Sequence, residues 1–273
     1  MKKLLLALTS AIIALVLPGC FQNETVIHLN KDGSGTVVED TRFGGQMLAM
    51  ISQMSAMGGE ASKKDPVAEM FSEEKLKARA TQMGEGVTYQ KSESVDADGF
   101  KGMKATYQFK DINTLKLSTE DSMKSMSPPG APPTPEANKT EPIRFTYASG
   151  TLTVKMPEPK KADVPEKPEV EGIEKPDMES PEMQAMVKQM CANMKMSCKL
   201  VIESGIGESN ATYKTGNTIT LMEMDMGKLL EKPETFKLLG KVDKNNPAAA
   251  MESFKGIDGL KMETQKEVSV KVQ

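Results

Sequence analysis

The stretch MVKQMCANMKMSC, from Met186 to Cys198, gathers the softest donors in the chain. Two cysteines, Cys191 and Cys198, stand at a helix-to-strand turn among Met190, Met194 and Met196. In an oxidising compartment, cysteines this close in sequence pair as a disulfide. Left reduced, thiolates beside thioethers suit monovalent copper. Two free thiols are the third possibility.

A second candidate is HLNKDGSGTVVED, which begins at His28. Asn30, Asp32, Ser34 and Gly35 match positions 1, 3, 5 and 6 of a calcium loop. Position 12, however, is Thr41, where such a loop needs a bidentate carboxylate. Alternation in TVIHL and β-branched residues after Gly35 instead read as a hairpin closed by Asp32-Gly33. His28 is the only histidine; it falls on the face opposite Ile27 and Leu29 and reads as an exposed structural residue. No metal ligand set is assigned from this loop, and no cofactor is called for. The common catalytic signatures, HExxH, GxSxG, a Walker loop, a dinucleotide fingerprint and CxxC, do not occur. The chain is therefore read as non-enzymatic.

Two methionine stripes complete the candidates. In GGQMLAMISQMSAMGG, Met47, Met50, Ile51, Met54 and Met57 recur at helical spacing. After Pro181, Met183, Met186, Val187, Met190 and Met194 do the same. Such a stripe either replaces leucine in a core or lines an adaptable hydrophobic groove, because thioethers repack around varied ligands. Gly44, Gly45, Gly58 and Gly59 bracket the first stripe.

The N-terminus, MKKLLLALTSAIIALVLPGC, sets two lysines before an apolar run from Leu4 to Leu17. That run is too short for a stable span and reads as a secretory signal. Its end, LPGC, with Leu17, Pro18, Gly19 and Cys20, resembles the lipobox of bacterial lipoproteins. The resemblance implies removal of residues 1–19 as a lipoprotein signal peptide and acylation of Cys20, with diacylglycerol on the thioether and an amide-linked palmitate-type chain. Phe21, rather than Asp, follows the cysteine, which in such lipoproteins implies the periplasmic face of the outer membrane. The membrane is thus one expected partner, through the lipid anchor.

With 35 basic and 38 acidic residues the net charge is -3, and nothing points to nucleic acid. The aromatic content is low, with no Trp, 8 Phe and 4 Tyr against 22 Met, so aliphatics and methionine must fill the core. Prolines concentrate in residues 127–142 and 157–180, which read as linkers without apolar periodicity. Between them, residues 143–156 alternate around Ala-Ser-Gly and read as a β-hairpin. A hairpin alone cannot bury its apolar face, so it must dock on a sheet built by residues 20–126 and 181–273.

Around these candidates the pattern gives strands at 24–30 and 35–43, helices at 45–57 and 72–83, and strands at 87–95 and 100–110. Beyond the linkers come a helix at 181–196, strands near 198–204 and 211–223, short helices within 226–240, a helix from Asn246-Pro247, and a closing strand in KEVSVKV. The expected architecture is α+β: an antiparallel sheet with helices packed on one side, interrupted by Pro-rich loops. VIESGIGESNATYKTGNTITLMEMD, near 201–225, resembles the strand-turn-strand signature of LppM-type lipoprotein domains. That resemblance implies an envelope lipoprotein with a lipid-binding α+β domain. The function expected is a lipid-anchored binding or structural module for a hydrophobic ligand or an envelope protein. Periplasmic copper handling by Cys191, Cys198, Met190, Met194 and Met196 is the alternative.

Overall fold

A computed structural model of the chain describes residues 20–57, 65–118, 141–157, 180–232, 234–236, 238 and 256–273. The signal sequence, most of both Pro-rich tracts and the helix expected from Asn246 lie outside the described residues.

Strands β1 (Cys20–Leu29) and β2 (Gly35–Gly44) pair antiparallel in unbroken register, Cys20 opposite Gly44 and Leu29 opposite Gly35. Their connection is the HLNKDGSG stretch, and it is a turn. Gly33 takes φ +88°, a conformation open to glycine without a Cβ penalty. The Ser34 amide and hydroxyl donate to Asp32 Oδ1 at 3.0 and 2.6 Å. Those bonds hold the Asp32 carboxyl below its usual range and turn it toward the loop's own backbone.

Helices α1 (Gly45–Met57), α2 (Pro66–Met70) and α3 (Glu73–Met83) follow, then β3 (Thr88–Ala97) and β4 (Phe100–Phe109). Asp98 and Gly99, both at positive φ, close the β3–β4 hairpin as a two-residue turn matching strand twist. In α3 the buried side chains are Leu76, Arg79, Ala80 and Met83, one face at i, i+3, i+4 and i+7.

The short α2 depends on its cap. Asp65 accepts from the Val67 amide at 2.9 Å and from Lys101 Nζ at 3.0 Å. Lys101 first, then that amide, holds the Asp65 carboxyl below the usual range. Asp65→Ala is expected to cost about 1 kcal/mol, the usual worth of an N-cap. Because the folded-state pKa is depressed, this contribution is complete above the unfolded pKa of about 4 and fades as pH falls through the folded value. Urea titrations at pH 7 and at falling pH below 4 check it: the variant should differ from the parent at pH 7 and the difference should shrink as the pH falls.

Strands β5 (Lys116–Leu117), β6 (Ile143–Ala148) and β7 (Thr151–Lys155) come next, with Ser149 and Gly150 at positive φ between the last two. Helix α4 (Pro181–Cys191), capped by Ser180, leads into β8 (Lys195–Ile202). It ends earlier than residue 196 because β8 claims the backbone from Lys195. A strand not expected from the sequence, β9 (Ile206–Ser209), comes next, and the segment expected as one strand at 211–223 is divided into β10 (Lys214–Thr215) and β11 (Thr218–Asp225). Gly205 and Gly216, at φ +100° and +59°, turn the chain ahead of β9 and between β10 and β11. Helix α5 (Met226–Glu231), β12 (Leu260–Met262) and β13 (Glu267–Val272) complete the order.

The architecture is α+β. One sheet runs β10-β11-β8-β1-β2-β4-β3, with β12 on β11; the other runs β5-β6-β7-β13-β9. The expected hairpin at 143–156 docks as reasoned, through β7 on β13. The sheet is not wholly antiparallel: β1 and β8 run parallel from Gln22 opposite Lys195 to Leu29 opposite Ile202. The long chain between them allows the crossover a parallel pair requires. The main core lies between the inner face of the larger sheet and the smaller sheet together with α3. Ile27, Leu29, Tyr107, Phe109, Leu152, Val154, Leu200 and Val270 are sealed within it.

Candidate functional site

Following β1 along its inner face explains where the site lies. Leu29 and Ile27 belong to the main core, Thr25 and Asn23 are buried polar residues, and Phe21 packs on a second cluster. On β2 the same sequence runs Val37, Glu39, Thr41, Phe43. The two strands therefore carry a polar belt between two apolar zones. Asn23 Nδ2 donates to Thr41 Oγ1 at 2.8 Å. Glu39 receives Arg79 from α3 side-on, Nη2 to Oε1 at 2.8 Å and Nε to Oε2 at 3.3 Å. Arg79 is 4% exposed, so this ion pair is desolvated.

A cavity of about 130 Å³ opens beside the belt between the sheets. Its polar end is Asn23, Thr25, Glu39 and Arg79. Leu117, Ile143 and Met156 line it from the smaller sheet, Met196, Cys198 and Leu221 from the larger. Met222, Met262 and Glu263 line it as well, with Ser118 and Pro157. Asn23, Glu39 and Arg79 also line a smaller cleft of about 30 Å³ with Met70, Phe71 and Tyr107. A mostly apolar cavity near 150 Å³ holds a benzene-sized group, whereas pockets enclosing whole drug-sized ligands start near 300 Å³. This cavity fits the end of a chain or one apolar side chain.

Its ionisable groups are engaged. Glu263 accepts from the Thr212 amide and hydroxyl at 2.8 and 2.6 Å and from the Gln265 amide at 2.9 Å. Glu39 is held by Arg79. His28 lies on the other face, with Nδ1 2.7 Å from Glu203 Oε1 and both side chains well exposed, the position expected for a structural surface histidine.

The soft-donor stretch is divided rather than gathered. Met196 and Cys198 share the inner face of β8 and line the cavity. Cys191 ends α4, half-buried, and Met194 lies in the following turn; neither lines the cavity. The side chain of Met190 is outside the described residues. The disulfide expected between Cys191 and Cys198 is not formed: strand alternation turns Cys198 into the core, away from the helix end. Burial, aided by the charge of Glu39, pushes the Cys198 thiol up to about 12. With Cys20 acylated or replaced by serine, Cys198 should stay silent toward a thiol reagent at pH 8 and react only in denaturant. A chain that yields no reactive thiol even in denaturant would carry the disulfide instead.

The first methionine stripe is divided too. Ile51 is buried with Phe43, Val67 and Met70, and Met47 packs on that cluster. Met50 faces out, 46% exposed. The side chains of Met54 and Met57 are outside the described residues. Neither Met47 nor Met50 lines the two clefts above.

The residues that sequence reading missed are Asn23, Thr25, Glu39, Arg79 and Glu263. A signal existed for two of them. Glu39 shares the parity of Val37 and Thr41, and Arg79 follows Leu76 by one helical step of three, so both occupy core-facing positions that only pairing makes tolerable.

No family model and no curated protein matches the chain. Among solved structures it is similar to the NMR structure of the folded domain of LppM from Mycobacterium tuberculosis, at 6% identity, with 94% of this chain and 92% of that one covered and a TM-score of 0.36.

Proposed function

We propose that the protein is a lipid-anchored lipoprotein of the bacterial cell envelope, without catalytic activity, whose domain takes up the apolar end of a hydrophobic ligand. The lipobox residues Leu17, Gly19 and Cys20 support the anchor and the address. The cavity between the sheets carries the binding role: apolar walls bury the ligand's end, and the Asn23, Glu39 and Arg79 end meets a polar group. The non-catalytic reading is supported by the engagement of Glu39 and Glu263, since a general base needs a lone pair directed at its substrate. The outer membrane remains the side favoured by Phe21 after the acylated cysteine.

A second reading has one observation in its favour. Met156, Met196, Met222 and Met262 line the same cavity as Cys198, a donor set soft enough for monovalent copper. Native mass spectrometry of protein extracted gently from its own membrane, against a denatured spectrum of the same sample, decides. Loss of a lipid-sized mass on denaturation supports the first reading. Loss of copper supports the second, and a chain that loses nothing overturns the ligand role.

A further inference from the structure

The exposed apolar residues and the acylation site converge on one end of the fold. Among the described residues, the exposed large hydrophobic side chains are Met50 on α1 and Met186 on α4, 46% and 49% exposed. Helix α1 starts at Gly45, the residue after Gly44, and Gly44 is the cross-strand partner of Cys20. Helix α4 feeds β8, whose first residue, Lys195, lies opposite Gln22, and Gln22 Nε2 donates to Asn193 O at 3.5 Å in the connecting turn. Both methionine helices thus adjoin the first residues of β1. Helix α1, GQMLAMISQMSAM, has no charged residue, which is unusual for a helix with an open face toward water.

Charged groups near the Cys20 end are held in pairs, Arg42 with Asp40, Lys101 with Asp65 and Lys195 with Asp225, and the opposite end of β1 is charged as well. It carries Lys31 and Asp32 in the turn and the His28–Glu203 pair. At about 3.3 Å per residue it is roughly 30 Å from Cys20.

Cys20 is itself the first residue of β1. On the anchored reading above, on which this inference rests, no tether separates the acyl chains from the folded domain. The domain must then sit directly on the bilayer with that end down. We propose that α1 and α4 form its membrane-contacting face, with Met50 and Met186 among the lipid headgroups. The uncharged side chains of α1 and the thioether of Met186 enter that boundary at low cost, while Glu182 and Lys188 of α4 reach the polar headgroups and the charged turn at Lys31 is kept in water.

The test uses the full lipoprotein, made in a host that processes lipoproteins and reconstituted into phosphatidylethanolamine and phosphatidylglycerol vesicles. Nitroxide labels go to Met50→Cys, Met186→Cys and Lys31→Cys, each in a Cys191→Ser background and with an unchanged urea midpoint. Relative accessibility to oxygen and to a water-soluble nickel chelate is compared at the three sites, and intact mass of the same sample reports acylation. Labels at positions 50 and 186 are expected to be several-fold more shielded from nickel than at 31. Equal nickel access at all three sites on acylated, vesicle-bound protein overturns the membrane face while leaving the anchor intact. Absence of an acyl mass on Cys20 removes the anchor itself, and the membrane face with it.

Discussion

Arg79→Met should destabilise the domain by about 3–5 kcal/mol, the range found when one partner of a buried ion pair is deleted. The guanidinium is 4% exposed and the Glu39 carboxylate 11%, so removing Arg79 strands a carboxylate where water cannot resolvate it. The pair also joins α3 to β2, and Glu39 and Arg79 separate the two clefts that they share. Glu39→Met alone leaves a buried cation and should cost a similar amount. The double variant is the informative one. With both charges replaced by apolar groups of comparable volume, most of the loss should return, because the desolvation penalty disappears along with the attraction. Urea unfolding of the four proteins, read as a double-mutant cycle, reports the coupling. Additive losses would show that Arg79 acts by packing alone. If the double variant also loses ligand while regaining stability, the pair serves the cavity rather than the fold.

How much of this was readable in advance depended on how local the controlling interaction is. The hairpin around Asp32-Gly33 and the span of α1 at 45–57 follow from neighbours in sequence, and both are found where patterning places them. Strand-to-strand choices are not local. Nothing near Gln22 specifies that its partner is Lys195, 173 residues on, and nothing in 143–156 specifies that β13 will cover it. Gly216 breaks the run at 211–223 that period-two counting alone joins. The site suffered most. Cys191 and Cys198 drew attention because they are reactive types close in sequence, yet a seven-residue spacing across a helix end leaves the direction of each side chain open. Glu39 and Arg79 are not marked by the pattern, because a charge on an amphipathic element ordinarily lies on its wet face. Only tertiary packing reveals that both point inward.

With residues 1–19 exchanged for a secretory leader whose removal does not need Cys20, Cys20→Ser is expected to move the protein from the membrane pellet to the soluble fraction and to abolish the acyl mass. Each buried methylene of an acyl chain contributes about 0.8 kcal/mol, and a single chain already gives an association constant of about 10⁴ M⁻¹, so two or more chains hold a protein firmly. No helix among the described residues is long and apolar enough to cross a membrane. Residual binding of the variant reads the face formed by α1 and α4. An uncharged helix with Met50 outward should leave weak vesicle association, and this should be insensitive to salt because there is little charge to screen. Adding Met50→Lys to Cys20→Ser should abolish it on neutral vesicles. The position of the cavity gives the result a functional edge. Asn23 is three residues along β1 from Cys20, about 10 Å at strand rise, so a domain seated on its anchor holds the apolar cavity close above the lipid. A chain entering from the bilayer would then have little water to cross. Freed from the membrane by Cys20→Ser, the domain should keep its fold and its urea midpoint but lose any lipid mass acquired from the membrane in cells. If the soluble variant instead carries the same bound lipid as the anchored protein, loading occurs elsewhere and the anchor serves only to position the domain.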